Sequence, residues 1–158
     1  MPKKIGWVFV LSFAGVFLLD LLTKQLILTH YPLHYSKPVI PGFFNLVHIQ
    51  NKGVAFGFLS GSDALWRNLL LTLLPITAIL GILVYVFFYP PREGMVLLAL
   101  GGILGGALGN LLDRIRYQAV VDFLDFFWGR VHWPAFNIAD SAITVGVFYL
   151  VFRVWRTS

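Results

Sequence analysis

The sequence contains no cysteine. That excludes disulfides, thiolate nucleophiles, cysteine-bound metals and a lipid-modified cysteine on this chain. Charge is the second scarcity: only 12% of the 158 residues are Asp, Glu, Lys or Arg, against about 25% in soluble domains. Water is therefore not the main solvent of this protein. Two catalytic motifs are missing as well, since neither H-E-x-x-H nor G-x-S-x-G occurs, so neither a zinc protease nor a nucleophile elbow is encoded. His30 and His34 are four residues apart, but Pro32 between them breaks the helical geometry that a shared metal would need, and they read as loop histidines. No metal and no organic cofactor is expected. The net charge of +5 comes from Lys and Arg that stand singly between apolar runs. Nucleic acid would need a basic face instead, so it is not an expected partner.

What is present is apolar: 58% of residues are hydrophobic and 16% aromatic, which suits segments that satisfy their backbone internally while facing lipid. Four runs are long enough to cross a bilayer core of about 30 Å, covering residues 6–28, 69–89, 95–112 and 138–155. The expected architecture is an all-α membrane protein, one domain over residues 1–158, with both termini on the same side. Lys3 and Lys4 before an apolar run suggest a secretory signal peptide, but no A-x-A site follows and Asp20 and Lys24 interrupt the run, so it reads as a retained span. The second run includes Pro75, which a membrane helix tolerates as a kink. In the third, Gly101, Gly105 and Gly109 form a stripe that permits close helix approach, either at the centre of the bundle or towards a second copy.

Two long connections, residues 30–68 and 113–137, fall on one membrane face. The first alternates turn residues with F-F-N-L-V-H-I and G-V-A-F-G-F-L, the pattern of a small β-rich flap or cradle resting at the interface between the first two helices. Within it, Gly53 and Gly57 make residues 51–57 a candidate moving flap. Trp66, Trp128 and Trp133 fit an interfacial belt on that side. The bases leave the orientation open. Lys3, Lys4, Arg92, Arg153 and Arg156 mark the terminus side, slightly outnumbered by Lys24, Lys37, Lys52, Arg67, Arg114, Arg116 and Arg130 on the other.

Each ionisable residue inside a span costs about 2.5–3.5 kcal/mol and needs a reason. Asp20 and Lys24 are four apart, the spacing of a helical ion pair near the interface. Asp113 and Arg114 follow Asn110 and could anchor the end of the third helix at the headgroups. In N-I-A-D, Asn137 could cap the fourth helix while Asp140 reaches back. Asp122 and Asp140 both fall where the chain leaves or re-enters the membrane on one face. Two carboxylates in a low-dielectric cleft cannot both ionise easily, and sharing a proton equips one as base towards water and the other as acid towards a carbonyl. Spacing alone does not separate Asp122 from Asp125 in V-V-D-F-L-D-F. A proton-coupled transporter is the main rival, and it predicts acids near mid-membrane with short loops.

Five stretches, in order, resemble the bacterial lipoprotein signal peptidases, or signal peptidase II. They are D-L-L-T-K (Asp20, Lys24), N-K-G-V-A-F-G (Asn51 to Gly57), G-G-A-L-G-N-L-L-D-R (Gly105 to Arg114), V-V-D-F (Val120 to Phe123) and F-N-I-A-D-S-A-I (Phe136 to Ile143). The resemblance implies a multi-pass inner-membrane protein with cytoplasmic termini, a flap on the periplasmic side and an active site near that face. It also implies Asp122 and Asp140 as the catalytic pair, in preference to Asp125. Other family motif residues carry over to Asp20, Lys24, Asn51, Gly106, Asn110, Arg114, Asn137 and Ala139. Among these, Asn51, Asn110, Arg114 and Asn137 are candidates for hydrogen bonds to the substrate backbone or behind the acids. The implied substrate is a diacylglyceryl-modified prolipoprotein, cut before its lipidated cysteine, with membrane lipids as surroundings. The expected form is a monomer without an obligate protein partner. The helix dipole attracts negative charge at Asp140, which makes Asp140 the expected base and Asp122 the expected acid.

Overall fold

A computed structural model describes residues 3–53 and 64–157, with the order α1 (Lys3–His30), β1 (Ser36–Ile40), β2 (Phe44–Asn51), α2 (Ala64–Phe88), α3 (Gly94–Tyr117), β3 (Val120–Trp128), β4 (Val131–His132) and α4 (Ile138–Thr157). All four helices are long and apolar enough to span a membrane. Their environments differ sharply. In α3, 78% of the best apolar window is buried within the protein, against 6%, 0% and 11% in α1, α2 and α4. Thus α3 is the axis of the bundle, and the other three present their leucines, valines and phenylalanines to lipid.

The glycines of α3 make this possible. A methyl group at Gly101 or Gly105 would meet the backbone of α1 at Phe9 O or Phe13 O, 2.5 Å and 2.6 Å away, and one at Gly106 would lie 2.6 Å from Ala139 O of α4. The stripe of Gly101, Gly105 and Gly109 therefore serves a contact within the chain, with α1, while Gly106 admits α4 and Gly146 of α4 returns that contact against Ile103. Helix α2 runs unbroken through Pro75 and packs mainly on α3.

The β-rich element exceeds the expected flap. It is a four-stranded antiparallel sheet in the order β1-β2-β3-β4, and only β1 and β2 come from the connection between α1 and α2. Strands β3 and β4 come from the second long connection, where V-V-D-F-L-D-F carries strand-forming residues whose alternation two acids obscure. The third helix also runs past its expected end at Leu112 to Tyr117, because Asp113 is buried against the bundle rather than solvated at the headgroups. Gln118 then adopts the left-handed conformation (φ 54°), donates its N–H to Arg114 O, and turns the chain directly into β3. The sheet rests on the end of α1 through Ile27, Val121 and Phe123. Of residues 51–57, Asn51, Lys52 and Gly53 are described, with Gly53 at φ +80°, and 54–57 lie outside the described residues. Trp66, Trp128 and Trp133 are exposed near the sheet end, and Trp7 and Trp155 are exposed towards the termini.

Close approach of α1 predicts a specific intolerance. Gly105→Ala lowers the thermal midpoint in detergent by several degrees, from about 1–3 kcal/mol of overpacking at roughly 2–4 °C per kcal/mol. Gly81→Ala, with nothing within 4 Å of the added methyl, leaves the midpoint unchanged or slightly raised.

Candidate active site

The polar residues that looked misplaced in the sequence converge on one network where α1, α3, α4 and β3 meet. At its base is Lys24, 2% exposed, with its ammonium 2.7 Å from Asp20 Oδ2, 2.9 Å from Asp113 Oδ2 and 2.9 Å from Asn110 Oδ1. Asp20 Oδ2 lies at ion-pair distance without hydrogen-bond alignment. The simple i,i+4 pair near the interface is thus replaced by a buried ion triad, because a second carboxylate arrives from α3. Asp20 reaches it only because Gly109 leaves room, since a Cβ there would overlap the Asp20 carboxylate. Its other oxygen, Oδ1, accepts the Ala139 N–H at 2.9 Å and so ties α1 to the first turn of α4. Asp113 Oδ2 likewise accepts the Val121 N–H at 3.0 Å and ties α3 to the start of β3.

Two asparagines carry this order outward. Asn110 accepts from Lys24 through its oxygen and donates to Asp140 Oδ1 at 2.7 Å. Asn137 caps α4 by accepting the Asp140 N–H at 2.9 Å, and its amide donates to Asp122 Oδ1 at 2.8 Å. The expected cap is present, but the Asp140 side chain turns to Asn110 rather than back along its own helix. Asp122 Oδ2 accepts from Asn51 at 3.0 Å, and Asn51 Oδ1 receives the Gly53 N–H at 2.8 Å. That contact follows from strand register: Asn51 pairs with Val120 and Ile49 with Asp122, so Asn51 is the diagonal neighbour of Asp122 on one face.

Asp125, three residues along β3, falls on the opposite face by the two-residue alternation of a strand. It accepts from Asn45 at 2.9 Å and pairs with His132 Nδ1 at 2.8 Å, away from Asp140. Asp122 stands differently. Burial pushes its carboxyl up to about 7, the charge of Asp140 adds to the rise, and the hydrogen bonds from Asn51 and Asn137 oppose it. A proton shared between neighbouring carboxyls is the expected consequence. The charge of Arg114, on the last turns of α3, faces Asp140, Asp122 and Asp113.

Three clefts open around this pair, and Asn51 borders all of them. One, of about 360 Å³, is lined by Asp122, Ile49, Pro134 and Ala135. A second, of about 470 Å³, includes Asp140 and runs along α4 past Phe136, Thr144 and Val145. The third, of about 270 Å³, lies between α2 and α3.

A family model described as Signal peptidase (SPase) II matches residues 12–156. The chain belongs to the signal peptidase II family. Its similarity to the lipoprotein signal peptidase of Syntrophus aciditrophicus (strain SB) is 48% identity over 149 residues, 94% of this chain and 92% of the relative. To that of Nitratidesulfovibrio vulgaris (strain DP4) it is 49% over 143 residues, 90% and 86% of the two chains. A bacterial membrane enzyme solved at 1.9 Å superposes with a TM-score of 0.81 at 30% identity, covering 95% of this chain and 94% of that one. Signal peptidase II enzymes are proteases of the aspartic type.

Of the motif residues singled out in the sequence, Asp20, Lys24, Asn51, Asn110, Asp122, Asn137, Ala139 and Asp140 join one hydrogen-bonded and ion-paired network. Gly106 is the close-approach point opposite Ala139. Arg114 stands at the rim beside Asn51. Sequence reasoning missed Asp113 as a member. The available sign was its i,i+3 spacing from Asn110, which puts both on the face of α3 that meets Lys24.

Breaking the triad destabilises this signal peptidase II strongly. Lys24→Met leaves two buried carboxylates uncompensated and costs about 3–5 kcal/mol, read as a large fall in unfolding midpoint. Adding Asp113→Asn recovers part of that loss by removing one orphaned charge.

Proposed function

We propose that this protein removes signal peptides from prolipoproteins with Asp122 and Asp140 as the catalytic pair. The observation that carries the assignment is the placement of Asn137, whose amide holds Asp122 while its carbonyl oxygen caps Asp140. Asp125 is engaged by Asn45 and His132 instead. The finer reading is that the bond cut lies just before a cysteine carrying a diacylglyceryl group, on the outer face of a bacterial inner membrane, by a monomer with cytoplasmic termini. Family membership supports this topology, and the clefts at the sheet end suit a peptide arriving from that face. A lipid anchor holds the scissile bond at membrane depth and raises its effective concentration at the pair.

In the proposed cycle, Asp140, ionised and steadied by the Asn110 amide, takes a proton from a water whose oxygen attacks the scissile carbonyl carbon. Asp122, protonated because burial and the Asp140 charge hold its proton, gives that proton to the carbonyl oxygen as the tetrahedral diol forms. Collapse breaks the C–N bond, returns a proton to Asp122 from a diol hydroxyl, and passes the proton held by Asp140 to the leaving amine. The network behind the pair fixes both carboxyls without supplying a mobile proton.

Purified protein with a diacylglyceryl-modified prolipoprotein tests this. Asp122→Asn and Asp140→Asn fold but lose at least about 10³-fold in cleavage rate, whereas Asp125→Asn stays within about tenfold of wild type. The wild-type rate also falls as pH rises through about 7, because the acid form of Asp122 is lost. An inert wild type, or cleavage by Asp122→Asn at the normal rate, contradicts the assignment.

A further inference from the structure

Two of the clefts that meet at Asn51 differ in chemistry. The one beside α4 is walled by Trp133, Phe136, Thr144 and Val145 and opens along a helix whose outer residues face lipid. The one between α2 and α3 is lined by Lys52, Arg114, Asn68, Thr72 and Gln118, above a floor of Leu71, Ile115 and Ala119. Among the described residues, Lys52 and Arg114 make no hydrogen bond or ion pair with their side chains. The carboxylates that Arg114 faces are already engaged: Asp113 by Lys24 and Val121 N, Asp122 by two asparagines and Asp140 by Asn110. Two cations, two amides and a hydroxyl are thus left for whatever enters.

Asn51 borders both clefts and donates to Asp122, so a chain passing Asn51 can run from one cleft into the other. A signal peptide is apolar, so it matches the groove beside α4, and the segment after the cut faces the polar cleft. We propose that the cleft between α2 and α3 is the binding site for the first residues of the mature chain, and that Lys52 and Arg114 select acidic over basic side chains there. This inference rests on the peptidase reading above. The charges act at the rim of a site that already holds the acids, so like charge on the substrate is repelled and opposite charge attracted. Lys52, which also borders the cleft at Asp122, is the specificity-determining residue, and Arg114 adds a donor fork for a carboxylate.

The test uses three lipid-modified prolipoproteins identical except for the two residues after the lipidated cysteine, Asp-Asp, Ser-Ser or Lys-Lys, with kcat/KM measured in neutral detergent. Wild type prefers Asp-Asp over Lys-Lys by roughly tenfold or more. Both Lys52→Gln and Gln118→Glu reduce that ratio towards unity. Equal cleavage of all three by wild type, or a ratio untouched in both variants, overturns the proposal while leaving the peptidase reading intact. Failure to cut any of the three by wild type overturns both. If anionic phospholipid erases the wild-type preference at unchanged Ser-Ser cleavage, the two cations bind headgroups and the proposal falls.

Discussion

A single buried ammonium sets the geometry of this protein. Lys24 lies inside a membrane bundle, where desolvation of one cation costs several kcal/mol unless good partners surround it. Its ammonium donates to Asn110 and lies within ion-pair distance of Asp20 and Asp113. Those partners each hold something else: Asp20 the first turn of α4, Asp113 the start of β3, and Asn110 the side chain of Asp140. Displacement of the lysine therefore disturbs three segments together. The ion triad contributes little net stability beyond what an apolar core of equal volume would provide. What it supplies is registry, since no apolar contact would fix β3 and α4 to within a hydrogen bond of one another.

That registry explains a division of labour along α3. Its middle is glycine and serves approach, admitting α1 on one side and α4 on the other. Its last turns are polar, with Asn110 donating to Asp140, Asp113 paired with Lys24 and the charge of Arg114 facing the carboxylates. The left-handed Gln118 then turns the chain so that β3 starts beside the helix it has just left, and Asp122 comes within the electrostatic reach of Asp140. A helix that ended at the headgroups, as its apolar run suggests, would have left Asp113 solvated and β3 unanchored.

The four spans were legible because membrane solvent imposes one rule, apolar length, on every helix. The polar motifs were legible for a related reason: each charge in an apolar run demands an explanation, and Asp20, Lys24 and Asn110 explain one another once folded. The sheet was only half legible. Its first two strands showed as turn-flanked apolar stretches, but β3 combines a buried outer face with two acids that satisfy different partners, so its alternation is not hydrophobic. Asp113 was misjudged because the sequence places it after a helix's apolar end, and only tertiary packing shows that it returns to Lys24. Strand register gives Asp122 and Asp125 different partners, and spacing does not contain it.

In the proposed mechanism Asp122 and Asp140 hold one proton between them near neutrality, with Asp122 as its seat. Isotope-edited infrared spectroscopy of protein carrying carboxyl-labelled aspartate, titrated from about pH 5 to 9, reads this directly. The expected result is a protonated carboxyl band that disappears with a midpoint near 7. The band persists in Asp125→Asn, moves to lower pH in Asp140→Asn where the neighbouring charge is gone, and is missing from Asp122→Asn. A band that survives Asp122→Asn, or no carboxyl titrating in that range, would contradict it.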